Sequence, residues 1–119
     1  MKVIQDLIAS HQALIGKSPL TMNSEDTIKY VNDMVLALQV ELVEMLQELP
    51  WKPWKPAHSQ VCDIKKALEE LDDVFIFAFN IRNMLEPRLK EPSSLEEGIA
   101  RKIQTNIDRL RSGFHSQHK

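Results

Sequence analysis

Apolar positions recur along most of the chain at steps of three and four, the period of a helix with one buried face. Val3, Ile4, Leu7, Ile8, Leu14 and Ile15 fall mostly on one side of a segment from Lys2 to Ile15, which Gly16-Lys17-Ser18-Pro19 ends. A longer pattern follows. Ile28, Val31, Val35, Leu38, Leu42, Met45 and Leu49 form an unbroken seam, which predicts a helix from an N-cap at Ser24 to about Leu49, with Glu25 and Asp26 in its first turn. Ala67, Leu71, Val74, Ala78, Ile81 and Leu85 form a third seam, on a helix capped by Ser59. Ser94 and Glu97 make a capping box for a last helix to about Ser112, with Ile99, Ile103, Ile107 and Leu110 apolar and Gly113 at its C-terminal end. Phe75, Phe77 and Phe79 read as core. Residues 115–119 read as a polar tail. The breaks are short, so the pattern predicts one all-α domain over residues 1–119, a bundle of four helices, two of them long.

Composition narrows the function classes. With 15 basic and 17 acidic residues the net charge is −2, which gives no general pull toward a nucleic-acid polymer or an anionic membrane. No apolar run is long enough to span a bilayer and no signal-peptide pattern opens the chain. Cys62 is the one cysteine, which excludes an intrachain disulfide and fits a reducing cytoplasm. At 119 residues the core is modest, and oligomerisation would add to it.

Two acidic pairs change the picture. Glu41 and Glu44 sit beside the seam of the second helix, and Glu70 and Asp73 beside that of the third. Positions three apart share a helix face, so each pair projects together. If the helices pack side by side, four carboxylates converge. Like charges at 4 Å repel by about 4 kcal/mol at an effective dielectric near 20. A hard cation such as Mg²⁺ removes that penalty and bridges to phosphates, so the pattern points to a metal-dependent site for a nucleotide polyphosphate. Between the pairs, Pro50-Trp51-Lys52-Pro53-Trp54-Lys55-Pro56 forces an extended loop. It holds both tryptophans of the chain, alternating with lysines suited to phosphate. Asn80 lies two turns beyond Asp73 on the same stripe, and Lys102, Asn106 and Arg109 share one side of the last helix.

At these residues the chain resembles the all-α nucleoside triphosphate pyrophosphohydrolases, the superfamily of the dimeric dUTPases and MazG-like enzymes. The shared pattern is E-x-x-E followed by E-x-x-D, here Glu41, Glu44, Glu70 and Asp73. Leu36-Ala37-Leu38 before the first pair and Glu48-Leu49-Pro50-Trp51-Lys52-Pro53-Trp54-Lys55 after it are similar to short dUTPase-like phage and bacterial members. So is the ending Lys102, Asn106, Arg109, Gly113-Phe114. The likeness covers about residues 30 to 114. Val40 stands where many MazG proteins carry a further Glu, which favours the dUTPase-like branch.

The resemblance implies cleavage of a deoxynucleoside triphosphate between its α and β phosphates, giving a monophosphate and pyrophosphate, most simply dUTP in nucleotide-pool house-cleaning. It implies Mg²⁺, with Mn²⁺ as a substitute, held by Glu41, Glu44, Glu70 and Asp73. One of these, Glu44, would orient the attacking water. Lys102 and Arg109 would neutralise phosphate, assisted by Lys52 or Lys55. Asn80 and Asn106 would meet the sugar or base, and Trp51 or Trp54 would wall the base pocket. A chain this short would complete its site with a second copy, as a homodimer or a dimer of dimers. Two other readings stand beside this one. The same fold acts on dCTP or another nucleotide in related enzymes, and without metal binding the acids would only solubilise a non-catalytic helical oligomerisation or regulatory module.

Overall fold

The structure, a computed structural model, describes residues 2–113. Phe114 and the tail from His115 to Lys119 lie outside the described residues. The helices are α1 (Lys2–Leu14), α2 (Ser24–Gln47), α3 (Ile64–Leu85) and α4 (Leu95–Arg111), with short 3₁₀ turns at Ala57–Ser59 and Glu86–Arg88. Among the described residues there is no strand, and no helix is long and apolar enough to cross a membrane.

Local chemistry sets the helix ends. After α1, Gly16 takes φ +74°, and the N–H groups of Gly16 and Lys17 donate back to Ala13 O (3.2 Å) and Gln12 O (2.8 Å). This left-handed cap is open to glycine because it has no Cβ to clash. Gly113 closes α4 in the same conformation, donating to Leu110 O at 3.2 Å. The Ser94–Glu97 capping box forms as the sequence predicts: Glu97 N–H donates to Ser94 Oγ and Ser94 N–H to the Glu97 carboxylate, which holds that carboxyl below its usual pKa.

Two other caps differ from expectation. Helix α2 is capped by Asn23, whose Oδ1 accepts from Asp26 N–H at 2.7 Å. The Ser24 hydroxyl instead accepts from Arg88. Helix α3 starts four residues later than a cap at Ser59 implies: Ser59 lies in the 3₁₀ turn, bonded to Pro56 O, and Asp63 caps the helix by accepting from Lys66 N–H at 3.0 Å. The delay has a long-range cause, since Asp63 N–H donates to Glu48 O at 2.8 Å and ties the start of α3 to the end of α2.

Helices α2 and α3 form an antiparallel hairpin, and α1 lies along α3. The core centres on Tyr30, Val31 and Met84, with Met22, Met34 and Ile81 packed around them. A polar layer crosses this body. Tyr30 donates its hydroxyl to Asn80 Oδ1 (3.1 Å), the Asn80 amide donates to Ile76 O (2.8 Å), and buried Gln12 donates to Asn80 O (3.2 Å). Asn83 and Gln5 extend the layer toward solvent. Each buried side-chain polar atom among the described residues has a partner, so the layer fixes the register of three helices without an orphaned donor.

Much of the expected core is open within a single chain. Of the α2 seam only Val31 is buried, while Ile28, Val35 and Leu42 are exposed. Helix α4 makes no extended packing with the other helices and leaves Ile99, Ile103 and Leu110 exposed. The radius of gyration is 18.3 Å, against about 13–14 Å for a compact chain of this length. The root of α4 is nonetheless anchored. Arg82, on α3, donates to Ser93 O (2.6 Å), Ser94 O (2.8 Å) and the Glu86 carboxylate (3.0 Å). Gly98 passes close to its guanidinium, where a Cβ would meet Nη2 at 3.4 Å.

The polar layer makes a direct prediction. Asn80→Ala removes the acceptor of Tyr30 and should destabilise the fold by about 1–3 kcal/mol, read from urea unfolding at fixed protein concentration with helix content retained in water.

Candidate functional site

The antiparallel hairpin brings the two acidic pairs together. Each α2 residue meets an α3 residue in reverse order, so Glu44 lies beside Glu70 and Glu41 beside Asp73. Carboxylate oxygens of Glu41, Glu44 and Glu70 all lie within 4.8 Å of one another. Asp73 joins them through a hydrogen bond with Glu41. Glu41, Glu70 and Asp73 are half-buried and Glu44 is exposed. Glu69 and Asp72, their sequence neighbours, point to solvent.

Crowding has an electrostatic consequence. The Glu41 carboxyl is pushed up to about 7, first by its hydrogen bond to Asp73, then by partial burial, then by the hydrogen bond and charge of Glu44 and the charge of Glu70. Glu70 is raised by desolvation and by Glu44, with Lys66 opposing. At neutral pH the Glu41 carboxyl is therefore partly protonated, which lowers the net charge of the cluster. Oxygen donors alone, several of them anionic, converging at this spacing make a donor set suited to a hard divalent cation. No sulfur or imidazole joins the group.

The loop of tryptophans and lysines closes the adjacent end of the hairpin. Glu44 is three residues from the end of α2, so the loop begins about one helical turn beyond the carboxylates. Trp51 and Trp54 meet edge to face, with ring centroids 5.6 Å apart, and Lys52 Nζ sits 5.9 Å above the Trp51 ring. Trp51, Lys52 and Lys55 line a cup of about 300 Å³ with Gln47, Leu49 and Gln60. Trp54 stands at 66% exposure outside that lining.

The remaining predicted residues go elsewhere. Lys102, Asn106 and Arg109 share a face of α4, as their spacing implies, and line an open groove of about 740 Å³ with Arg82, Ser93 and Arg101. Neither this groove nor the cup includes any of the four carboxylates. Asn80 is 7% exposed and its carboxamide is engaged by Tyr30 and Ile76, which makes it part of the polar layer. Two residues with evident roles escape the sequence reading. Gln60 binds the loop backbone and Arg82 anchors α4. Both act on main-chain carbonyls, which leave no partner pattern in a sequence; the one local hint is Glu86, four residues after Arg82.

An all-helical chain whose central hairpin gathers two E-x-x-[ED] pairs defines the architecture of the dimeric dUTPase and MazG-like superfamily. The chain belongs to the dUTPase family, whose pattern its residues 5–114 match. No curated protein and no solved structure matches it.

Metal-free protein should show the charge crowding directly. The folded-state pKa of Glu41 lies above its ordinary value of 4.5. The folded form therefore binds more protons between pH 4.5 and about 7, and this contribution to stability is lost as pH rises through about 7. Thermal melts in EDTA should thus give Glu41→Gln a higher Tm than wild type at pH 8, with the difference shrinking toward pH 5.

Proposed function

We propose that this protein is a Mg²⁺-dependent pyrophosphohydrolase that cleaves dUTP between its α and β phosphates, yielding dUMP and pyrophosphate and clearing the nucleotide pool. The observation that carries this reading is the convergence of Glu41, Glu44 and Glu70 within 4.8 Å in a chain of the dUTPase family. Glu41, Glu44, Glu70 and Asp73 would hold Mg²⁺, with Mn²⁺ as a substitute. When bound, the cation supplies positive charge and Lewis-acid polarisation at the triphosphate. Glu44, the exposed member, is the carboxylate we assign to orienting the attacking water and taking its proton. Trp51 and Trp54 offer faces to the base, while Lys52 and Lys55 offer cations to the phosphates.

Within one chain the basic face of α4 stands apart from this cluster. We assign Lys102, Asn106 and Arg109 to the phosphates and sugar of a site on a second copy, in a homodimer or a dimer of dimers. The open α2 seam at Ile28, Val35 and Leu42, together with an α4 that makes no extended packing with the other helices, supports that arrangement.

Pyrophosphate release should be measured for each dNTP and NTP, with Mg²⁺ and with EDTA. The expected result is metal-dependent turnover with dUTP preferred, and a loss of about 100-fold or more in Glu44→Gln. Preference for dCTP would retain the chemistry and reassign the base pocket. Absence of turnover by folded, Mg²⁺-supplemented protein would overturn the reading. Site sharing has its own test: mixing inactive Glu44→Gln with inactive Lys102→Ala should restore roughly a quarter of wild-type activity, because half of the randomly formed dimers are mixed and each carries one intact site.

A further inference from the structure

Residues 50–56 present a backbone problem. Pro50, Pro53 and Pro56 have no N–H to donate, so the loop has few ways to hold itself. Its own backbone bonds near the lysines are short-range turns, Lys55 N–H to Lys52 O at 3.2 Å and Ser59 N–H to Pro56 O at 3.1 Å. One side chain supplies the longer connections. Gln60, half-buried in the extended stretch before α3, accepts from Lys52 N–H through Oε1 at 3.0 Å. Its Nε2 donates to Lys52 O at 2.8 Å and to Lys55 O at 3.1 Å. The carboxamide thereby closes residues 52–60 into a ring and fixes where Trp51, Lys52 and Lys55 stand around the cup.

We propose that Gln60 is a positioning residue for nucleotide binding: it latches the tryptophan–lysine loop in the shape that receives a planar base and its phosphate tail beside the carboxylate cluster. This rests on the functional reading given above. The assignment excludes a base-reading role, because both amide hydrogens are already donated to main-chain carbonyls. It also locates the effect. Its three hydrogen bonds all go to the main chain of Lys52 and Lys55 and none to a carboxylate, so its loss should loosen substrate without disturbing the metal ligands or the chemical step.

Gln60→Leu removes all three bonds, and Gln60→Glu keeps the acceptor while removing both donors. For the dUTP reaction, Gln60→Leu should raise KM by about tenfold with kcat within about twofold of wild type. Mn²⁺ affinity, measured by calorimetry without nucleotide, should not change, and acrylamide should quench the two tryptophans more strongly. Should Gln60→Leu fail to fold, Gln60→Glu is expected to show the same split to a smaller degree. Unchanged KM and unchanged quenching in folded variants would overturn the proposal, as would parallel losses of kcat and Mn²⁺ affinity. If the wild type itself turns over no nucleotide, the functional reading fails separately, and unchanged quenching in Gln60→Leu would then overturn the latch.

Discussion

Four carboxyl groups held at the crossing of two antiparallel helices repel one another, and the body of the protein is arranged around tolerating that repulsion. Three devices share the load. Asp73 hydrogen-bonds to Glu41 and helps raise the Glu41 carboxyl to about 7, so that Glu41 is partly protonated near neutrality. Half-burial is limited, and Glu44 keeps access to water. The polar layer of Tyr30, Asn80 and Gln12, together with the Asp63–Glu48 bond at the hairpin's end, locks the register in which the two acidic pairs oppose each other. A slip of the hairpin by one turn would relieve part of the repulsion, and these bonds are what such a slip would break.

That arrangement separates structure from function by position along α3. Its first half carries Glu70 and Asp73, whose side chains face Glu44 and Glu41 on α2. Its second half carries Asn80, Arg82 and Asn83, whose side chains are all engaged in holding α1, α2 or the root of α4. Asn80 shows why a helical stripe does not by itself make a site. Two turns of helix move a residue about 11 Å along the axis, here from the loop end of the hairpin into its core.

The parts legible in the sequence are those whose partners lie within a few residues. The helices follow from apolar steps of three and four. The Ser94–Glu97 box follows from two side chains one turn apart, and the acidic pairs from the same spacing on successive helices. Ser59 misleads because a serine before an apolar pattern resembles a cap, whereas the true start of α3 is set by Glu48, fifteen residues earlier. Ile28, Val35 and Leu42 mislead in another way. Their spacing reports that a surface is to be covered and is silent on whether the cover comes from the same chain. Gln60 and Arg82 are hard to see because most of their partners are main-chain groups, which every residue possesses.

The anchoring of α4 at its root by Arg82 makes that helix a lever. With Arg82 gripping its root at Ser93 and Ser94, Lys102 lies about 10 Å and Arg109 about 20 Å along the axis from the pivot. A tilt of about 10° there, small beside ordinary scatter in helix-crossing angles, would carry Arg109 roughly 3–4 Å while moving Lys102 half as far. The near contact of Gly98 with the guanidinium limits that tilt from one side. The reach of the basic face is thus set at its base, by one arginine and by the absence of a side chain one turn into the helix.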